Sequence, residues 1–276
     1  MSLILADIKY FITISETLNV TRASEIIGIT QPALSYSLKR IESELGGQLF
    51  IRLKNGIQLT KLGEEFKTRA RRLIYEWEQA QNLANPDSGL IEGSYTIAIH
   101  PSVALYTIES FMPKLLQEFP ALNFNFIHGL SREMTEKVIS WEADFGIVVN
   151  PIKHSDLVII KLCTDEVGIF HIENAQEKLI YDQNLAQSQY LLKKMQNKTN
   201  FSGAISSANL EVVAKLTSLG LGFGILPSRV ASQYKRLKKL KNSPIFKDEI
   251  CLIYRPEKHT NNVSRRIIQM IKLSVI

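Results

Sequence analysis

The chain has 276 residues, of which 45% are hydrophobic and 22% are charged. This composition excludes a disordered chain and provides enough apolar side chain for two ordinary domains. No stretch approaches the roughly 18 to 20 apolar residues of a membrane helix, and residues 1–7 lack the basic start of a secretory signal. Cys163 and Cys251 are too isolated to form a disulfide framework or a zinc-binding spacing. We therefore expect a soluble, cytoplasmic protein without membrane contact, metal or cofactor.

The net charge of the chain is +6, from 33 Lys and Arg against 27 Asp and Glu. The excess is spread along the chain, with 11 cationic against 9 acidic residues in 1–84 and 22 against 18 in 85–276. A basic stripe would favour a nucleic-acid partner, whereas a diffuse excess does not decide the partner. The order and spacing of residues are therefore more informative than the charge.

Three helices are predicted at the start of the chain. Apolar residues recur at helical spacing in 8–18, and Thr21 is a suitable N-cap for a short second helix. Gly28 can take the left-handed conformation that ends a helix. Thr30 can then cap a third helix with Pro32 in its first turn. A short helix, a glycine turn and a longer helix are the elements of a helix-turn-helix, which is a DNA-binding motif.

The third helix has an apolar face and a polar face. Its apolar residues, at steps of four, three and four, are Leu34, Leu38, Ile41 and Leu45. The N-terminal residues of such a helix contact bases in the major groove, where Gln31 can pair with adenine through two hydrogen bonds. Ser35 and Tyr36 can donate or accept hydrogen bonds. Lys39 and Arg40 can reach bases or phosphates. Periodicity alone leaves an alternative open, a helical bundle whose third helix has a solvated polar face.

A two-stranded wing is predicted after the third helix. Residues 49–51 and 57–59 are strand-like, and the Asn55-Gly56 pair between them is a strong hairpin signal. Arg52 and Lys54 fall where such a wing would meet the phosphate backbone. The pattern is that of a winged helix-turn-helix, with the plain helical bundle still open as the alternative at this point.

A series of short motifs accompanies these patterns. In chain order they are Tyr10-Phe11, Thr21-Arg22-Ala23, residues 30–35, Ile41-Glu42, Leu45-Gly46, Leu49-Phe50, Arg52, Leu59-Thr60 and Gly63. In order and spacing they resemble the LysR-type transcriptional regulators, a bacterial family. Two departures are Ser24, where the family usually has alanine, and Tyr36, where arginine is frequent. The resemblance implies a non-enzymatic DNA-binding regulator. It adds four candidate DNA-binding residues, which are Thr21, Arg22, Thr30 and Pro32.

A long helix is predicted between this region and the rest of the chain. Thr60 can cap it, and its apolar residues are Leu62, Phe66, Ala70, Leu73, Trp77, Ala80 and Ala84. A repeat near 3.5 residues faces a partner helix, and the predicted length of roughly 37 Å is too great for one small winged domain. We therefore expect a homodimer on an operator with dyad symmetry, as the resemblance also implies; tetramers are usual in the family. The alternative is a helix packed on the second domain of its own chain.

Strands and helices alternate after the turn-forming residues 85–89, which predicts parallel sheets covered by helices. The predicted strands are 95–100, 122–128, 144–149, 166–170, 178–181 and 204–206, and the predicted helices are 102–119 and 131–140. Residues 111–113, 119–120, 144–147 and 219–227 resemble the effector domain of the same family, a two-lobed fold like the periplasmic binding proteins. Only eight residues separate Phe170 from Leu179, where relatives carry a longer segment.

Ligands of such folds bind at the carboxyl ends of strands, near helix N-termini. The candidate effector-binding residues at these positions are Pro101, Ser102, Gly129, Ser131, Asn150 and Ser206. For the three serines, an ordinary capping role is an equally good explanation. A helix N-terminus at Ser102 would favour a negatively charged group, so the expected effector is a small organic anion.

The sequence as a whole predicts a multidomain protein: an all-α winged helix-turn-helix, a linker helix and a two-lobed α/β effector domain. The expected limits are 1–60, 61–92 and 93–276, with one lobe from 93–162 and 248–276 and the other from 163–247. Its partners would be double-stranded DNA, further copies of itself, a small effector and, for an activator, RNA polymerase. One rival is a periplasmic-type small-molecule binding protein without a role on DNA. A second rival, an α/β enzyme, lacks any catalytic constellation in the sequence.

Overall fold

The computed structural model describes residues 4–54, 56–83, 93–195 and 201–275. The chain divides into two compact units, Met1–Gly89 with Ser140–Glu142 and Leu90–Ile139 with Ala143–Ile276. Three predicted features lie outside the described residues, namely Asn55 of the hairpin, Ala84 of the linker helix and the turn formers 85–89. Within the described ranges, no helix combines the length and the apolar character needed to span a membrane.

The first unit contains a helix-turn-helix, a hairpin and a long helix. Its elements are α1 Leu5–Thr17, α2 Val20–Ile27, α3 Gln31–Leu45, β1 Phe50–Leu53, β2 Gly56–Leu59 and α4 Lys61–Leu83. β1 and β2 pair antiparallel with Phe50 opposite Leu59, which confirms the predicted wing. Gly28 has a φ of 78° and ends α2 as predicted. Thr60 Oγ1 accepts a hydrogen bond from the Gly63 N–H at 3.0 Å, which confirms the predicted cap of α4.

The N-cap of α2 is Asn19, so the prediction of Thr21 at this position is wrong. Asn19 Oδ1 accepts a hydrogen bond from the Arg22 N–H at 3.0 Å, and α2 begins at Val20. Leu18, with a φ of 49°, ends α1 in the left-handed conformation and leads the chain into an extended Asn19. Asparagine is among the best N-caps because its short amide oxygen reaches the free N–H groups of the first turn.

Phe11 lies at the centre of the core of the first unit. It is fully buried, and its ring centroid is 5.6 Å from that of Phe50 and 4.9 Å from that of Phe66. Ile41 of α3 is also fully buried in this core. The predicted apolar face of α3 is wrong at Leu45, which is exposed. Leu45 is the last residue of the helix, one turn beyond the buried Ile41.

The apolar stripe of α4 has a covered part and an uncovered part. Phe66 and Ala70 are buried in the core of the first unit. Leu73 and Trp77, one and two turns further along, are 50% and 49% exposed. The first turns of the linker helix therefore stabilise the winged domain, while the later turns of the stripe leave apolar surface open within this unit.

The second unit is built on one curled sheet. Its elements are β3 Gly93–Ile99, α5 Pro101–Glu118, β4 Leu122–His128, α6 Ser131–Ile139, β5 Phe145–Val149, β6 Val158–His171, β7 Lys178–Tyr181, α7 Ala186–Met195, β8 Gly203–Ser206, α8 Leu210–Ser218, β9 Phe223–Pro227, α9 Ser228–Ser232, β10 Lys238–Lys239, β11 Phe246–Tyr254, a 3-10 helix Pro256–Thr260 and α10 Asn262–Ser274. The described strands follow the order β4-β3-β5-β11-β6-β9-β7-β8, with β10 beside β6.

Two long strands join the two halves of this sheet. β3 pairs parallel with β4 and β5 in one half, and β7 pairs parallel with β8 and β9 in the other. β6 and β11 run antiparallel to each other and to their outer neighbours β9 and β5. The prediction of parallel sheets therefore holds within each half and is wrong for the central strands. These strands return the chain between halves, which requires them to run in opposite directions.

Each half of the sheet has its own apolar cores. One half packs around Phe111, Phe145 and Ile271, and the other around Val213 and Leu226, all of which are fully buried. A glycine turn lies in the second half, within the residues 219–227 that carry the family resemblance, where Gly220 has a φ of 79° between α8 and β9. β6 ends at residue 171 and β7 begins at residue 178, and the described residues between them form no helix.

Candidate DNA-binding surface and effector cavity

α3 exposes the residues that the sequence assigned to DNA. Thr30 Oγ1 caps the helix by accepting a hydrogen bond from the Ala33 N–H at 3.4 Å. Leu34, on the opposite face, is fully buried and holds the start of the helix against the core. The exposed candidates are Thr21, Arg22, Thr30, Gln31, Pro32, Tyr36, Lys39, Arg52 and Lys54. Ser35 is half-buried beside them. The N-terminal part of α3 is thus accessible on one side and fixed on the other.

Arg40 is directed towards α1. Its guanidinium forms a salt bridge with Asp7, which is fully buried, and Ser37 Oγ donates a second hydrogen bond to the same carboxylate at 2.6 Å. Burial by itself raises the pKa of Asp7, but the hydrogen bonds from Arg40, Ser37 and the Ile4 N–H together lower it below its usual value. Arg40 therefore anchors α3 to α1. No pattern in the sequence indicated this partner, because Asp7 is 33 positions away.

The wing is tied to the end of α3 by Glu42. Its Oε1 accepts a hydrogen bond from the Leu49 N–H at 2.8 Å, immediately before β1. Gly63 of α4 packs against the same backbone, since a Cβ there would lie 2.2 Å from Leu49 O. Arg52 and Lys54 are consequently presented on a hairpin whose position relative to α3 is fixed.

A cavity of about 590 Å³ opens in the second unit, between the two halves of its sheet. The start of α5 contributes His100 and Ser102 to its lining, and the start of α6 contributes Ser131. The other half contributes Gln187 and Leu210. This size suits a small organic molecule, and both parallel half-sheets direct strand ends and helix starts towards it.

Three of the six predicted effector residues line this cavity. They are Ser102, Ser131 and Asn150, while Pro101, Gly129 and Ser206 do not line it. Ser131 Oγ accepts a hydrogen bond from the Val149 N–H at 3.0 Å. Ser206 is exposed at the end of β8, the outermost strand of its half. Ser206 therefore lies at the outer edge of the sheet and is not part of the cavity lining.

Ser102 has an unusual environment for a hydroxyl group. It is 2% exposed, and its Oγ has no hydrogen-bond partner among the described residues. It lies in the first turn of α5, whose cap is His100 Nδ1, the acceptor of the Ser102 N–H at 3.3 Å. Burial lowers the pKa of His100, which favours the neutral ring. Burying a hydroxyl group without a hydrogen-bond partner costs free energy, so a ligand that bonded to Ser102 Oγ would remove this cost.

Sequence reasoning missed two carboxylates on the cavity wall. Asp165 of β6 and Asp248 of β11 lie directly opposite each other in the antiparallel register, and they are 6% and 4% exposed. Asp248 accepts hydrogen bonds from Asn150 Nδ2 at 2.7 Å and Gln187 Nε2 at 3.0 Å. Burial raises the pKa of Asp248 to about 6 and also raises that of Asp165. The sequence offered one signal for these two residues, since each is a charged residue within a strand that is otherwise largely apolar.

Both parts of the chain match models of known protein families. Residues 5–64 match the family model of the bacterial regulatory helix-turn-helix protein, lysR family, and residues 88–274 match the LysR substrate binding domain. The chain belongs to the LysR family. The fold class predicted from the sequence, a winged helix-turn-helix followed by a two-lobed α/β effector domain, is confirmed.

Individual relatives extend over most of this LysR-family chain. The uncharacterised HTH-type transcriptional regulator YybE of Bacillus subtilis (strain 168) is 27% identical over 257 residues, which are 86% of this chain and 87% of YybE. A full-length OxyR variant from Pseudomonas aeruginosa has a TM-score of 0.75 at 17% identity, covering 100% of this chain and 95% of its own. Full-length CbnR in complex with its target DNA has a TM-score of 0.63 at 18% identity, covering 98% and 99%. These structural matches show the fold.

Proposed function

We propose that this LysR-type transcriptional regulator reads its operator with the exposed N-terminal half of α3 and touches the flanking phosphates with the wing. The main support is that α3 has one exposed polar face and one face fixed to the core. Gln31 and Tyr36 are exposed at its start, while Ser37 and Arg40 fix the helix to the buried Asp7. A rigidly held helix with exposed polar side chains at its N-terminus is what the major groove requires.

Ten residues are assigned to the DNA surface on this basis. They are Thr21, Arg22, Thr30, Gln31, Pro32, Ser35, Tyr36, Lys39, Arg52 and Lys54. Arg40 is assigned to positioning α3 instead, because its guanidinium is held by a salt bridge with the buried Asp7. Gln31 would read a base through two hydrogen bonds, whereas Arg52 and Lys54 would contribute contacts independent of base sequence.

The uncovered part of the α4 stripe supports assembly of the regulator. Leu73 and Trp77 are about half exposed, and they would be covered by α4 of a second copy. Such a dimer presents two copies of α3 to an operator with dyad symmetry. A tetramer would be built from two such dimers. The protein would act in the cytoplasm, where the chromosome lies, and an activator would also contact RNA polymerase.

The cavity of the second unit is the proposed effector site. Ser102, Ser131 and Asn150 line it, and the Ser102 hydroxyl, which lacks a partner within the described ranges, offers a hydrogen bond to a ligand. The site would regulate DNA binding and would not catalyse a reaction. The proposed domain limits are those expected from the sequence: 1–60, 61–92 and 93–276, with lobes of 93–162 plus 248–276 and 163–247.

A gel-shift assay tests the proposal. The full chain is titrated against labelled genomic fragments from upstream of its own gene and against a shuffled fragment of equal length and composition. We expect saturable retardation of one fragment that survives excess shuffled competitor. The rival function, small-molecule binding without a role on DNA, predicts only weak retardation that disappears equally with any competitor.

A further inference from the structure

One wall of the cavity carries two buried carboxylates, which the positions of strand ends and helix starts did not indicate. Asp165 and Asp248 face each other from adjacent central strands and both line the cavity. Side chains directly opposite in an antiparallel pair lie on the same face, with Cβ atoms about 4.5 to 5.5 Å apart. Two carboxylates at such a distance repel each other when both are ionised, and the low exposure of each reduces the screening by water.

The groups that hold these carboxylates are mainly neutral. Amide groups of Asn150 and Gln187 donate to Asp248, and the backbone N–H groups of Glu166 and Arg229 donate to Asp165. One neighbouring cation is Arg229, which lies 5.6 Å from the ring centroid of Tyr106 and whose charge moderates the raised pKa of Asp165. Arg132 and Lys153 also line the cavity. Since burial still raises both pKa values, a further positive charge would stabilise the ionised pair.

The start of α5 lines the same cavity and favours a negatively charged group, whereas the carboxylate pair favours a positive one. α5 has 18 residues, and its N-terminal backbone N–H groups and dipole favour a negative charge. The Ser102 hydroxyl, in a side chain 2% exposed and without a partner among the described residues, is the second feature there that calls for a ligand. One wall of the cavity thus suits an anionic group, and the wall formed by β6 and β11 suits a cationic group.

We propose that the effector is a small zwitterion, such as an amino acid, whose ammonium group binds at Asp165 and Asp248 and whose carboxylate binds at Ser102 and the first N–H groups of α5. The inference rests on the proposed effector cavity and specifies its ligand. A cavity of about 590 Å³ also leaves space for the ligand's side chain. The small organic anion expected from the sequence satisfies the α5 end and brings no positive charge to the acidic pair.

The test is a thermal-shift and calorimetric screen of the full chain with matched compound triplets. Each triplet contains an amino acid, the same compound without its amino group, and the same compound without its carboxylate; phenylalanine, 3-phenylpropionate and phenethylamine form one triplet. The twenty common amino acids provide the panel. We expect at least one amino acid to stabilise the protein and to bind roughly tenfold or more tightly than its matched acid and its matched amine.

Two variants locate the two ends of the ligand, and a third is their control. Asp248→Asn should weaken the active amino acid roughly tenfold or more, whereas Glu249→Gln, on the exposed face of the same strand, should leave its affinity unchanged. Ser102→Ala should weaken the amino acid and leave binding of its matched amine unchanged. The wild-type triplets decide the question even if a variant does not fold.

Two results would overturn the inference. Stabilisation by the deaminated acids at least as strong as by the amino acids would show an anion site and would leave the effector cavity in place. Absence of any response across the amino-acid panel would reject the zwitterion assignment. The gel-shift assay on the same preparation, run without any effector, separates these failures from failure of the proposed function, since it reports operator binding alone.

Discussion

The buried carboxylate of Asp7 on α1 joins two residues of α3, Ser37 and Arg40, at the centre of the helix-turn-helix. Because Asp7 is fully buried, its charge is compensated almost entirely by these partners and by the Ile4 N–H at 3.1 Å. The orientation of α3, the proposed DNA-reading helix, therefore depends on its ion pair with α1.

Arg40→Ala should destabilise the winged domain, because it leaves the Asp7 charge buried without its cation. An uncompensated buried carboxylate of this kind costs about 2 to 4 kcal/mol in the free energy of unfolding. Lys39→Ala is the matched control: Lys39 is the exposed neighbour, so stability should change by less than about 0.5 kcal/mol while DNA affinity falls. Urea unfolding of both variants measures this, and equal stability of the two would contradict the role given to Arg40.

Gln31→Ala should weaken binding to the cognate operator by about 1 to 3 kcal/mol and relax the preference at one base position. Arg52→Ala should weaken all sequences alike and reduce the slope of log affinity against log salt by about one. Both residues are exposed, so neither change should affect folding. Titrations against operator and shuffled DNA at several salt concentrations distinguish them. If Gln31→Ala lowered the affinity for both DNAs equally, Gln31 would not be a base-reading residue.

Trp77→Glu should prevent assembly, since it places a carboxylate on the apolar stripe that a second α4 would cover. Removing the tryptophan and burying an unpaired charge should cost about 3 to 5 kcal/mol of dimer stability. Operator affinity should fall sharply because two linked half-site contacts become one. Sedimentation velocity measures the mass, with Glu76→Gln on the neighbouring position as the control. A variant that keeps the wild-type mass would place the dimer contact elsewhere.

Asp248 should make the stability of the second unit depend on pH near neutrality. Its pKa in the folded protein is about 6, above the ordinary value of 3.8. The stability that it contributes is therefore fully present below about pH 3.8 and is lost as pH rises through about 6, a loss of about 2 to 3 kcal/mol. Asp248→Asn removes this loss. Between pH 5 and 7.5 the melting temperature of the wild-type protein should fall relative to that of the variant. If melting temperature changed with pH equally in both proteins, the raised pKa of Asp248 would be contradicted.

Gly224→Ala should destabilise the second unit. A Cβ at this position would lie 2.1 Å from Thr217 Oγ1 and 3.1 Å from Thr217 Cβ, and Thr217 is fully buried. Overpacking of this kind costs about 1 to 3 kcal/mol. Gly203→Ala is the control, because no described residue other than its two chain neighbours lies within 4 Å of its Cβ position. Calorimetry should show a lower melting temperature for the first variant alone.

The local elements were largely determined by the sequence. Gly28 ends α2, Thr60 caps α4, and Gly56 of the hairpin signal begins the second strand of the wing. These features depend on neighbouring residues, since a left-handed glycine, a capping hydroxyl and a hairpin turn each act within about four positions. The same holds for the order of strands and helices after Gly93, whose periodicity reflects which face each element buries.

Only the tertiary structure decided the contacts between distant parts of the chain. It joined Asp7 to Arg40, placed Asp165 beside Asp248, and carried Ser206 to the edge of the sheet, away from the cavity. Strand order and antiparallel register set the pairings within the sheet, and neither leaves a periodic signal in the sequence. The two carboxylates of the cavity come from strands more than 80 positions apart, so their juxtaposition becomes visible only when the chain is folded.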